Sequence, residues 1–234
     1  MWSLVLGALL ATAPVENLDR PLATRSWSVP GGAESSSDLR VTCSAYSTFA
    51  VVESDTSETV GADGLVVRQR GRGMKDSELC AQRFKGQTRK VSLLRKAHYV
   101  TGVRGSFLFL HGGDSFGSLS DFAIIDTRTG QQVFETVRVI DAPAKLVPSG
   151  DTLSLELLVM LKSPCDPRTD TPACLERMRQ ANGIPANVTL LLQPESCNAA
   201  SDDVLQLGGL ARVDDLDKPQ VRFLSGRLAC SAQP

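Results

Sequence analysis

The chain has 234 residues, of which 42% are hydrophobic and 22% are charged, and its formal net charge is −1. Such a composition is typical of a globular protein and argues against both a disordered chain and a membrane-spanning protein. The one long apolar run, residues 2–13, is shorter than the roughly 20 residues that a helix needs to cross a bilayer.

The amino-terminal part of the chain predicts export. Residues 1–13 have the apolar core of a signal segment and end in Ala11-Thr12-Ala13, which suits cleavage. No Lys or Arg precedes Arg20, however, and a buried strand is the alternative. Residues 14–38 are polar and rich in Pro, Gly and Ser, so we expect a flexible arm. Ordered structure is then expected to begin near Leu39, with residues 39–234 forming a single β-rich domain.

Short runs of β-branched and aromatic residues, bounded by turn residues, predict antiparallel strands. Residues 40–43 and 48–52 suggest a first hairpin, and residues 65–68 another strand. Residues 106–140 then predict a three-stranded meander from the runs 107–110, 122–125 and 133–140. Between the last two runs, Asp126 can cap a turn and Gly130 can take a positive φ.

The carboxy-terminal half predicts further strands and one helix. Residues 151–161 suggest a strand that goes from half exposed to fully buried, with a helix as the alternative. A helix is predicted over residues 172–181, followed by a strand at 188–192. Gly208-Gly209 and Ser225-Gly226 each predict a tight hairpin. The expected fold is mainly β: an antiparallel meander in a sandwich-like or partial propeller-like sheet, with one short helix and stabilising disulfides.

The cysteines support export independently. There are six, with no Cys-x-x-Cys pair, and the two histidines are too few to complete an obvious metal site. Disulfides are therefore favoured over buried free thiols, and with them a periplasmic or extracellular location. Six cysteines allow fifteen pairings. Proximity in the sequence favours Cys43 with Cys80, Cys165 with Cys174, and Cys197 with Cys230.

Positive charge is concentrated in one segment, Arg68–Lys96, which holds ten basic and two acidic residues. This density can attract an anionic polymer or surface. The alternative is that the segment is simply solvated or lies against the acidic residues 202–217. An envelope polymer or a protein is favoured over nucleic acid as partner, because Phe84 is the one aromatic residue available to stack bases. The candidate ligand-binding residues are Arg68, Arg70, Arg72, Lys85, Arg89 and Lys90.

A second candidate site is the loop of residues 111–121. Its Gly113-Asp114-Ser115 resembles the Gly-Asp-Ser block of the GDSL-type hydrolases, in which the serine is the nucleophile. That family places its Asp-x-x-His near the carboxy terminus, whereas no histidine follows His111 here. Ser115, His111 and Asp114 are therefore minor catalytic candidates, and a turn in which Asp and Ser satisfy backbone donors is favoured. No motif for a cofactor or a metal is found, so none is expected.

Several short blocks resemble a loose group of uncharacterised exported bacterial β-rich proteins. They are Val41-Thr42-Cys43, residues 65–68, residues 107–110, residues 125–130 and residues 227–232. The resemblance implies a periplasmic setting and no particular substrate. The sequence as a whole favours a non-catalytic binding or interaction protein of the cell envelope. The alternatives are a serine hydrolase using residues 111–121, and an inhibitor of a secreted or periplasmic enzyme that acts through a disulfide-closed loop such as residues 165–174.

Overall fold

The computed structural model describes residues 15–30, 38–56, 62, 64–91, 98–112, 119–139, 144–149, 152–166, 171–192 and 204–233. These residues form two helices, α1 (Asp76–Leu79) and α2 (Thr171–Ala181). The strands, in chain order, are β1 (Val15–Glu16), β2 (Ala23–Val29), β3 (Leu39–Ala45), β4 (Phe49–Asp55), β5 (Gly64–Gln69), β6 (Thr88–Lys90), β7 (His98–Arg104), β8 (Phe107–Gly112), β9 (Leu119–Asp126), β10 (Gln131–Val139), β11 (Ala144–Ser149), β12 (Thr152–Leu161), β13 (Leu190–Leu191), β14 (Val204–Asp214), β15 (Gln220–Phe223), β16 (Gly226–Arg227) and β17 (Ala229–Gln233).

The strands confirm the mainly β, largely antiparallel fold predicted from the sequence. A ten-stranded sheet follows the order β1-β11-β12-β10-β9-β8-β7, and β14 joins it on β12 and carries β15 and β17. This sheet is nearly closed and barrel-like. Beside it lies a five-stranded sheet in the order β2-β3-β4-β5-β6, and β13 and β16 form a small parallel pair.

The predicted meander is confirmed as β8, β9 and β10. At the hairpin between the last two strands, the backbone N–H of Arg128 donates to Asp126 Oδ1 at 2.8 Å, and Gly130 has a φ of +76°. The capping aspartate and the glycine therefore have the predicted roles, because a residue with a side chain would be strained at that φ.

Strands β8 and β9 lie between two hydrophobic cores and contribute side chains to both, because successive side chains of a strand point to opposite faces. One core fills the inside of the barrel-like sheet, and the other lies between the two large sheets. The barrel core receives Phe107, Phe109, Phe122 and Ile124, whereas the core between the sheets receives Leu108, Leu110, Ala123 and Ile125.

Ordered structure begins earlier than the sequence predicts. Where a flexible arm is expected, β2 pairs with β3 along its whole length, from Ala23 opposite Ala45 to Val29 opposite Leu39. The expectation that order begins near Leu39 is wrong because Trp27 and Val29 are apolar residues that alternate with polar ones and pack on the sheet. Residues 1–14 and 31–37 lie outside the described residues.

Two predicted hairpins are also wrong. Residues 204–214 form one continuous strand, β14, because Gly208 and Gly209 permit close packing instead of a turn. A Cβ at Gly208 would lie 2.6 Å from Val139 Cγ2, and one at Gly209 would lie 2.9 Å from Leu161 Cδ1. Strands β15 and β17 do not pair with each other, since they lie one after the other along β14.

The predicted helix is confirmed as α2, with Cys174 and Met178 buried in the barrel core. No helix in the described ranges is long and apolar enough to span a membrane. The disulfides Cys43–Cys80 and Cys165–Cys174 have formed as predicted. Cys230 is disulfide-bonded too, whereas Cys197, its predicted partner, lies outside the described residues.

Candidate anion-binding groove

The middle of the basic segment is an excursion between β5 and β6. Its two ends meet, because the backbone N–H of Gln69 donates to the carbonyl of Gln87 at 2.9 Å. We call residues 70–87 the basic loop. Its centre is fixed to the sheet by the disulfide between Cys80 and Cys43, and Leu79 is fully buried beside it. The basic loop is therefore anchored at its base and at its centre.

Arg68 supports the basic loop from underneath. Only 8% of the residue is exposed, and its Nη1 donates to the carbonyls of Leu79 at 3.1 Å and Ala81 at 2.8 Å. The guanidinium also lies over the ring of Phe84 at 4.9 Å and that of Trp27 at 6.0 Å. Burial lowers the pKa of Arg68. Although predicted as a ligand-binding residue, Arg68 holds the loop and does not line its surface.

Arg70 is likewise engaged within the fold. Its Nη2 pairs with Asp76 Oδ1 at 2.5 Å and donates to the carbonyl of Tyr46 at 2.7 Å. Its Nη1 donates to the carbonyl of Met74 at 2.8 Å. Three of the bonds that shape the basic loop thus come from one half-buried side chain, and the charge of Arg70 is matched by a carboxylate.

The basic loop forms a groove of about 530 Å³. Three exposed cations line it: Arg72, Arg83 and Lys85. Glu78 lines it as well, but its Oε2 accepts the backbone N–H of Lys75 at 2.8 Å. The remaining lining comes from small or apolar residues, Gly73, Met74, Ala81, Phe84 and Gly86.

Gly86 brings the chain close to the aromatic floor of the groove. A Cβ at this position would lie 2.4 Å from Phe84 Cζ, which no real contact allows. Phe84 is therefore held between Gly86 on one side and the Arg68 guanidinium on another. A groove with a fixed floor and three exposed cations at its surface is suited to an anionic ligand, since little of the protein has to be ordered on binding.

The structure separates the six candidate cations into three groups. Arg72 and Lys85 line the groove, and Arg68 and Arg70 support it. Arg89 and Lys90 lie on β6, where Arg89 is half-buried and donates from Nη1 to the carbonyl of Arg128. Arg83 lines the groove but was not among the candidates, although it belongs to the same basic segment.

The sequence offers the acidic segment 202–217 as an internal partner for these cations. Asp214 pairs with Arg222, and Asp217 pairs with Arg128. Both arginines lie outside the basic segment. These two carboxylates are thus used elsewhere, while Asp202 and Asp203 lie outside the described residues.

The loop of residues 111–121 is described at its two ends. His111 Nδ1 lies 3.0 Å from Thr101 Oγ1, and its ring centroid lies 5.4 Å from that of Tyr99. Burial, assisted by the charges of Arg138 and His98, lowers the pKa of His111 to about 4. Asp114 and Ser115 lie outside the described residues, so the hydrolase alternative stays a prediction. Within the part of the chain that is described, no three acidic, histidine or cysteine side chains could hold a metal ion.

The fold and groove define a mainly β, disulfide-bonded protein with a basic, partly aromatic surface groove. No protein-family model, no curated protein and no solved structure matches the chain.

Proposed function

We propose that this is an exported, non-catalytic binding protein that holds an anionic ligand in the groove of the basic loop. The observation that carries the proposal is the placing of Arg72, Arg83 and Lys85 around one groove, with their side chains exposed. Guanidinium groups bind phosphate, sulfate and carboxylate groups through paired hydrogen bonds, and an ammonium group adds a mobile point charge.

The distribution of charge supports binding over simple solvation. In the basic loop, Asp76 is paired with Arg70, and Glu78 accepts a backbone hydrogen bond. This backbone hydrogen bond leaves the charge of Glu78 in place, so three groove cations face one groove carboxylate and a net excess of positive charge remains. A local excess of positive charge raises the local concentration of anions and accelerates their association.

The proposed compartment rests on the disulfides. Cys43 is bonded to Cys80 and Cys165 to Cys174, and Cys230 is disulfide-bonded as well. Structural disulfides of this kind persist outside the cytoplasm, where thiols are not kept reduced. We place the protein in the periplasm or outside the cell, where an anionic polymer of the envelope would be the natural ligand.

Chromatography on immobilised heparin tests the proposal, because heparin is a strongly anionic polymer. The groove variant carries Arg72→Ser, Arg83→Ser and Lys85→Ser. The matched control carries Lys145→Ser, Arg177→Ser and Arg227→Ser, which removes the same charge at three exposed positions away from the groove. The wild type and the control should elute at similar NaCl concentrations, and the groove variant clearly earlier.

Salt dependence is the second readout of the same experiment. Exposed charges are screened over about 8 Å at physiological ionic strength, so retention must fall as NaCl rises. Equal elution of the groove variant and the control, or retention that does not respond to NaCl, would show that the groove is not the binding site.

A further inference from the structure

The groove is the centre of a larger cationic surface. We call the side of the five-stranded sheet that packs against Cys80 the groove face. Ala23, Trp27 and Val29 of β2 pack on this side. Because side chains alternate along a strand, Arg25 lies on the groove face too, and its cross-strand partner is Cys43. Arg25 is exposed.

The opposite edge strand of the same sheet, β6, also carries an exposed cation on the groove face. Lys90 of β6 is exposed and lies opposite Val66, which also packs on the groove face. A cation that is distant in sequence from the basic loop, Arg25, and one that follows it, Lys90, thus lie at the two edges of one surface. The groove lies between them, above β5 and the disulfide.

Carboxylates are absent from this face of the strands. Among the described residues of β2 to β6, the charged side chains on the groove face are Arg25, Arg68 and Lys90. Glu53 and Asp55 of β4 point to the opposite side, because they lie opposite Thr42 and Arg40. The pairing register of the sheet therefore leaves only cations among the charged residues on the groove face of these strands, whereas Glu53 and Asp55 lie on the other face together with Arg40 and Arg89.

We infer that the ligand is a linear polyanion that crosses the strands of the groove face, from Arg25 through the groove to Lys90. This inference rests on the proposed function and adds the shape and length of the ligand. Four spacings of about 4.8 Å separate β2 from β6, so the ligand must extend over about 19 Å. The recognised groups are sulfate or phosphate esters repeated along a chain, which a series of arginine and lysine side chains can bind one after another.

A polymer fits this face better than a bilayer surface does. Binding to a membrane interface requires apolar side chains that project into it. The large apolar residues of this face, Trp27, Met74 and Phe84, are half-buried and pack on the sheet. The exposed large apolar residues of the described chain are Leu22, Tyr99, Met160, Leu191 and Val221, and none of them lies on the groove face of β2 to β6.

Titration calorimetry with a heparin disaccharide and a heparin dodecasaccharide tests the inference. The long probe should bind more tightly than the short one. Arg25→Ser with Lys90→Ser should weaken binding of the long probe about five- to tenfold, and leave the short probe unaffected. Arg83→Ser, within the groove, should weaken both. The matched control is Arg40→Ser with Lys145→Ser, which should change neither, because Arg40 points to the opposite face of the sheet.

The outcomes separate the two proposals. If neither probe binds, the proposed function is wrong. If both bind with equal affinity, or if the Arg25 and Lys90 variant behaves like its control, the groove binds anions but the extended site is wrong. Long-chain inorganic polyphosphate in place of heparin distinguishes phosphate from sulfate as the preferred group, and length-dependent binding of either supports the inference. Tighter binding to phosphatidylglycerol vesicles than to both polymers would overturn it.

Discussion

Arg68 shows how one side chain can determine the shape of a surface that it does not reach. Its guanidinium satisfies two carbonyls of the basic loop and packs on two aromatic rings, all beneath the groove. Residue type and sequence position alone predict a ligand-binding arginine here. Residue type and position cannot show that Arg68 is buried. Successive side chains of β5 point to opposite faces, and which face lies under the basic loop depends on how β5 pairs with its neighbouring strands.

Replacing Arg68 by Met should destabilise the protein by about 2 to 3 kcal/mol, since one buried and one partly buried carbonyl lose their donor. Arg72→Met is the control: this side chain is exposed, so the change should stay within about 0.5 kcal/mol. Urea unfolding followed by tryptophan fluorescence measures both. Equal stabilities for the two variants would contradict the supporting role of Arg68.

His111 should make stability depend on pH. Its pKa is lowered from 6.5 to about 4 in the folded protein. Between pH 6.5 and 4, His111 is protonated in the unfolded chain but stays neutral in the folded protein. The stability contributed by the neutral ring is therefore fully present above pH 6.5 and is lost as the pH falls towards 4. Because the ring is partly exposed, we expect a loss of about 1 to 2 kcal/mol.

The measurement is the difference in unfolding free energy between the wild type and His111→Gln at a series of pH values. Other groups titrate in both proteins and cancel. Between pH 6.5 and 4 the wild type should lose stability relative to the variant, and a constant difference would show that His111 is not held neutral.

At the scale of elements, local composition predicts strands better than it predicts their ends and partners. The meander of β8, β9 and β10 could be predicted because aromatic and β-branched runs, a capping aspartate and a glycine agree. The role of Gly208-Gly209 within β14 could not be predicted, since the same dipeptide suits both a turn and a close contact between strands. Which applies depends on Val139 and Leu161, whose proximity is set by the tertiary fold.

Gly208→Ala should therefore be destabilising by about 1 to 3 kcal/mol, because the new methyl group would overlap Val139. Adding Val139→Ala should restore part of this loss. Gly226→Ala is the control, as its methyl group would lie 3.6 Å from Leu210 Cδ2, an ordinary contact. Thermal unfolding measures all three, and a Gly208→Ala protein as stable as the control would contradict the packing described for β14.

The two described disulfides should differ in their effects on the groove. Removing Cys43–Cys80, which closes 37 residues, should destabilise by about 4 kcal/mol, and removing Cys165–Cys174, which closes 9, by about 2.5 kcal/mol. Only the first anchors the basic loop. Paired Cys→Ala variants, measured by urea unfolding and by heparin retention, should lose retention in the first case and keep it in the second. Equal retention would mean that the loop keeps its shape without the anchor.

At the scale of the whole molecule, the sequence indicates where positive charge is concentrated but not how it is displayed. The count over residues 68–96 identifies the segment that forms the groove. It cannot separate Arg68 and Arg70, which are used within the fold, from Arg72, Arg83 and Lys85, which face the groove. It also misses Arg25, because only the register of β2 on β3 brings that residue to the same face.

We expect one surface of the protein to bind one class of ligand, and hydrogen–deuterium exchange with a bound heparin dodecasaccharide tests this most directly. Exchange should slow in residues 70–87, which form the groove, and in β2, which lies at one edge of the groove face and is distant in sequence. Helix α2, which packs on the barrel core, should be unchanged. If the protein is saturated with the dodecasaccharide and exchange does not slow in residues 70–87, or slows mainly in α2, the central claim that the basic loop is the binding site is contradicted.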